Sequence, residues 1–124
     1  MEAFGGISAI SMYNTYLGIG AVADAYSVDK YKSDYVQTLM NEQIGMIDAV
    51  NEMLEKVVND KSGNVPVEDQ TYINNIVKTF SYLKDEAIGL RDYSKNEDTI
   101  SSEKYETNRK LAWEMISELL GFNE

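Results

Sequence analysis

Residues 29–60 read DKYKSDYVQTLMNEQIGMIDAVNEMLEKVVND. Apolar side chains recur at Val36, Met40, Ile44, Ile47, Val50, Leu54, Val57 and Val58, with Leu39, Met46 and Met53 widening the stripe. Steps of three and four residues gather these side chains on one broad side of an α-helix. Gly45 weakens that helix by about 1 kcal/mol relative to alanine without breaking its pattern. A helix of this span is ~48 Å long, whereas a compact globule of this chain length is ~35 Å across. The reading predicts an elongated molecule.

The signals on the C-terminal side continue in the same manner. Asn59 to Val67, NDKSGNVPV, is predicted as a loop on the turn formers Gly63-Asn64 and Pro66. Pro66 suits the first turn of the next helix, and Glu68 and Asp69 favour a helix N-terminus. The following stripe runs through Tyr72, Ile73, Ile76, Val77, Phe80, Leu83, Ala87 and Leu90, with Lys84, Arg91 and Lys95 toward its C-terminal end. Residues 94–101, SKNEDTIS, are predicted as a second loop, with Ser101 or Ser102 as the N-cap of a last helix. That helix carries Tyr105, Ala112, Trp113, Ile116, Leu119 and Leu120, with Trp113 expected as a core anchor. Gly121 is its expected stop, and Phe122 is placed to fold back on the last turn.

The segment before this stripe differs in kind. Residues 3–23, AFGGISAISMYNTYLGIGAVA, contain no charged residue. The length is close to the ~20 residues of a membrane helix. Four glycines and the polar Ser8, Ser11, Asn14 and Thr15 dilute it, and no Lys or Arg flanks it closely. Ala21-Val22-Ala23 resembles a cleavage site, but the positive region of a signal peptide is missing. Membrane contact by residues 3–23 therefore ranks behind two other readings. One is a fourth helix filling the bundle with Ile7, Ile10, Tyr13, Leu17 and Ala21 inward. The other is a docking element, because a helix without a charged face is usually covered on more than one side.

Short connections between amphipathic helices make sequential neighbours antiparallel. The predicted fold is all-α: an elongated antiparallel bundle of three long amphipathic helices plus an uncharged N-terminal helix or arm. Residues 1–26 are read as a docking or oligomerisation element and 27–124 as the bundle domain.

Composition narrows the function. The 124 residues carry 21 acidic and 11 basic side chains, a formal net charge of −10, with no His and no Cys. A zinc finger, a His or Cys haem ligand, a Ser-His or Cys-His nucleophile and a disulfide scaffold are thereby excluded. The charge argues against direct nucleic-acid binding, which requires clustered Lys and Arg. Glu52 and Glu55, and Glu114 and Glu118, share helix faces by spacing. The Glu-x-x-His pattern of di-metal bundles has no His to complete it. Asp48, Glu52 and Glu55 read as a solvated face. No metal, no cofactor and no catalytic residue is expected.

The remaining reading is a non-enzymatic interaction or self-assembly module that binds another protein or itself as a homo-oligomer. Contact residues are expected at Phe4, Ile7, Ile10, Tyr13, Tyr16, Leu17 and Tyr26, with Tyr31 and Tyr35 extending the same surface. The alternative is a small acidic decoy in the basic nucleic-acid groove of a partner protein. Its charge should then be concentrated, yet Asp29-Lys30, Glu55-Lys56 and Arg109-Lys110 show bases interleaved along the chain.

An uncharged small-and-apolar helix, a long amphipathic helix, and a loop entering the next helix through Val65-Pro66-x-Glu68 and Tyr72-Ile73-Asn74 together resemble the filament-forming translocator subunits of type III secretion. The resemblance covers the order of elements over residues 10–76. It implies assembly outside the cell through packed terminal helices, a chaperone beforehand, and a secreted or export-associated structural subunit. The chain is shorter than those subunits and lacks the long insertion before the final helix, so their exposed outer part has no counterpart here. Either a cytoplasmic location or secretion without a cleaved signal is compatible with this reading.

Overall fold

The computed structural model describes the backbone of residues 2–59 and 67–122, and the side chains of those residues except 2–7 and 58. Its four helices are α1 (Glu2–Ser27), α2 (Ser33–Asn59), α3 (Val67–Asn96) and α4 (Thr99–Leu120), and no strand occurs among the described residues. The all-α bundle expected from the periodicity is the observed class. Of the expected loop over 59–67, only the ends are described, Asn59 closing α2 and Val67 opening α3.

Two boundaries fall elsewhere than expected. The helix expected from residue 29 begins at Ser33, because Asp29 lies in the turn that follows α1. Asp29 adopts the left-handed conformation (φ 60°), and the Lys30 N–H returns to the Ala25 carbonyl at 2.8 Å. The expected loop over 94–101 shrinks to Glu97 and Asp98. Glu97 is also left-handed (φ 49°) and closes α3. Asp98, not Ser101 or Ser102, is the N-cap of α4. Its extended backbone (φ −89°, ψ 155°) aims the carboxylate at the Ser101 N–H, 3.1 Å away. Hydrogen bonds from Ser101 hold that carboxyl below the usual carboxylate range. The expected stop at Gly121 is observed, with φ 75° and the Phe122 N–H bonded to the Ser117 carbonyl at 2.8 Å. This pairing satisfies a carbonyl that the helix end would otherwise leave open.

Helix α3 is central. It packs along both α2 and α4, whose backbones do not approach one another, and α1 lies against all three. Ser33 pairs with Ser94, Asn41 with Arg91 and Asp48 with Lys84, so α2 and α3 run antiparallel. Glu86 pairs with Arg109 and Gly89 lies against Tyr105 and Ser101, so α3 and α4 do likewise. The α3–α4 crossing is closest at Gly89. A Cβ there would lie 2.6 Å from the Tyr105 backbone nitrogen and 3.1 Å from the Ser101 carbonyl oxygen. Only a residue without a side chain allows that approach.

The core joins all four helices: Met12 and Ile19 of α1, Val36, Met40, Ile47 and Leu54 of α2, Ile73, Ile76, Phe80, Leu83 and Leu90 of α3, and Ala112 and Ile116 of α4. Each large side chain among them contributes ~1.5–3 kcal/mol by leaving water. The inward face of α1 matches the expected one at Tyr13, which packs against the core, but not at three other positions. Ala9, Met12 and Ile19 are buried, whereas Ile10, Leu17 and Ala21 face out. With no charge on the helix, no polar side marked which stripe would turn inward.

Candidate functional site

Helix α1 has two chemically different sides, and the residues expected to make contacts divide between them. Ile10 and Leu17 stand outward, 57% and 47% exposed. They share a stripe with exposed Ala21 at spacings of seven and four residues. Gly18 borders this stripe, and a Cβ there would meet nothing within 4 Å. Phe4 and Ile7 lie within the span of α1, and their side chains are outside the described ones.

The tyrosines of α1 turn to the bundle instead. Tyr13 meets Trp113 at 6.2 Å and Phe122 edge-on at 5.9 Å, and Tyr16 packs on Trp113 at 5.3 Å. Phe122 reaches this cluster because the Gly121 turn bends the chain back. Tyr26 donates its hydroxyl to a Glu97 carboxylate oxygen at 2.8 Å. Tyr31 is half-buried and meets the exposed Tyr35 edge-on at 4.8 Å, beside the α1–α2 turn. Of the nine expected residues, the seven with described side chains thus divide into the outward Ile10 and Leu17, the inward Tyr13 and Tyr16, Tyr26 bonded to Glu97, and the Tyr31–Tyr35 pair at the turn.

Beneath Tyr16 lies an ion pair between a half-buried arginine and a buried carboxylate, which the sequence reading did not single out. Glu86 of α3 is fully buried and accepts a hydrogen bond from Arg109 Nη1 of α4 at 2.8 Å. The guanidinium also lies 4.1 Å from the centre of the Tyr16 ring, a cation–π contact. Gly20 makes room for it. A Cβ at that position would sit 2.6 Å from Arg109 Nη2. The second oxygen of Glu86, Oε1, is buried with no hydrogen-bond partner.

Burial therefore outweighs the pull of Arg109 and pushes the Glu86 carboxyl up to about 7. Burial opposes the charge on Arg109. The hydrogen bond to Glu86, followed by the fields of Tyr105, Glu86 and Tyr16, overcomes that opposition and raises it above its ordinary value. Burial also raises Tyr16. A signal for this pair was present in the sequence. Glu86 interrupts the Leu83, Ala87 and Leu90 stripe, and Arg109 stands three residues before Ala112.

The carboxylates paired by spacing, Glu52 with Glu55 and Glu114 with Glu118, are all exposed, and Asp48 pairs with Lys84 at 2.6 Å. No group of three acidic side chains able to hold a metal ion occurs among the described residues. No helix of the described residues is long and apolar enough to cross a membrane. Comparison with protein-family models, with curated proteins and with solved structures gave no match.

Proposed function

We propose that this chain is a non-enzymatic interaction module that assembles with copies of itself through the outward face of α1. The observation that supports the reading is the exposure of Ile10 and Leu17 on a helix that bears no charge from residue 3 to 23. A chain of net charge −10 repels its copies over most of its surface. This face is where two copies approach without that repulsion, and open space at Gly18 allows close contact.

In this reading the molecule is an elongated unit of three amphipathic helices, and α1 is an added helix whose inner side completes the core and whose outer side joins the next copy. Catalysis has no place in it. A structural subunit of a secreted or export-associated assembly is the form of self-association that the resemblance to translocator subunits would give.

Size-exclusion chromatography with light scattering tests it. Deletion of residues 1–26 is unsuitable, since Met12 and Ile19 would leave the core with them. The double substitution Ile10→Asp/Leu17→Asp changes only exposed positions. The intact chain is expected to assemble as concentration rises and to stay assembled at high salt, because apolar burial is not screened. The double variant is expected to remain a folded monomer. A monomeric intact chain at every concentration, or a double variant that assembles equally, overturns the reading.

A further inference from the structure

At the end of the bundle where α1 and α3 terminate and α4 begins, an open cleft of about 620 Å³ runs between these three helices. Such a volume suits a small organic ligand or one long side chain. Three tyrosines line it. Tyr26 and Tyr93 meet edge-on at 6.4 Å, and Tyr105 belongs to the same lining. Four carboxylates contribute as well: Asp24 and Asp29 from α1 and its turn, Glu97 at the end of α3, and Glu106 on α4.

Arg109 is the single cation of the lining, and its charge is engaged with Glu86. Asp24, Asp29 and Glu106 have no ion-pair partner among the described residues. Burial, and after it the hydrogen bond to Glu97 and the field of that carboxylate, push the Tyr26 phenol up to about 12. Burial also pushes Tyr105 up to about 12, against the pull of Arg109 and with smaller contributions from Glu86, Glu106 and Asp24.

Negative charge spread along a cleft, with no three carboxylates converging on one point, does not suit an inorganic ion. It suits a cation of some length. Aromatic faces attract an ammonium or guanidinium group and pack against the methylenes that carry it. We infer that this cleft binds an aliphatic cation, a flexible chain bearing amine or guanidinium groups. A free polyamine and the side chain of a basic peptide share that chemistry. The α1 surface proposed for self-assembly plays no part in this inference.

Calorimetry at low salt tests it, with spermidine in one arm and a short Lys/Arg peptide in the other, while tyrosine ring resonances are followed by NMR. Saturable binding is expected in at least one arm, with shifts at Tyr26, Tyr93 and Tyr105. The arm that binds names the source of the cation. Asp24→Asn/Glu106→Gln removes two exposed carboxylates of the cleft and is expected to weaken binding at least ~10-fold, an effect in the range of charged contacts. Glu114→Gln/Glu118→Gln removes the same charge from exposed positions of α4 outside the cleft and is expected to change affinity by less than ~2-fold, the scale of exposed charges. The inference falls if neither probe binds saturably, if both double variants weaken binding equally, or if magnesium at matched ionic strength displaces the probe.

Discussion

Two seams meet on α3, and they handle charge in opposite ways. Along the α2 seam the apolar stripe Val36, Met40, Ile47 and Leu54 is buried, and the polar contacts stay at its margin. Lys84 bonds Asp48 at 2.6 Å with both side chains at least one-third exposed, and Arg91 bonds the exposed Asn41 at 3.1 Å. Along the seam with α1 and α4 the charge is inside. Glu86 is fully buried, Arg109 is wedged between it and the Tyr16 ring, and glycines at 20 and 89 supply the space. Exposed pairs are worth little, whereas a buried pair is costly to form and costlier to break. The first seam holds by hydrophobic burial and tolerates change at its edge. The second holds only while a particular set of shapes and charges stays together.

The sharpest way to break this contrast is Gly89→Ala. The new methyl would meet α4 backbone, which cannot turn aside. Destabilisation of ~3 kcal/mol or more is expected, at the upper end of overpacking effects, with a corresponding fall in the thermal midpoint. A midpoint unchanged from the parent chain would mean that the two helices do not cross so closely.

Next in size is the pH dependence of Glu86. Its carboxyl titrates near 7 in the folded chain and near 4.5 when unfolded, so the native state binds more protons between those values. The contribution to stability is greatest below about pH 4.5 and is lost as pH climbs through about 7, on the order of 3 kcal/mol in all. Glu86→Gln is expected to remove that part of the slope, by denaturant titration across the range. An unchanged slope would assign the titration to other groups.

The smallest effect is expected on the α2 seam. Lys84→Met keeps the aliphatic stem and breaks the pair with Asp48, so stability should change by less than about 1 kcal/mol, and less still at high salt. A larger loss would erase the distinction between the seams.

The long helices were legible because their apolar stripes are flanked by charge. Val36 to Leu54 and Ile73 to Leu90 orient themselves, and Gly121 announces its own turn. Three features were not legible, each for a separate reason. The inward face of α1 could not be told from the outward one, since Met12 and Ile19 compete with Ile10 and Leu17 and no ionic residue breaks the tie. The start of α2 and the end of α3 were misplaced because Asp29 and Glu97 take a left-handed backbone usually signalled by glycine or asparagine. The cleft joins residues from 23 to 109, and no local pattern draws such distant positions together. The Glu86–Arg109 pair was half legible. Each residue breaks an apolar stripe, but nothing in the sequence alone matches one to the other.

The two left-handed residues carry a last consequence. Asp29 and Glu97 are the only non-glycine residues with positive φ among those described, and both place a carboxylate on the cleft. Glycine would relax the backbone at either position. Asp29→Gly would then make a sturdier protein with a weaker electrostatic lure, so one substitution would set robustness against recognition and show which of the two that aspartate serves.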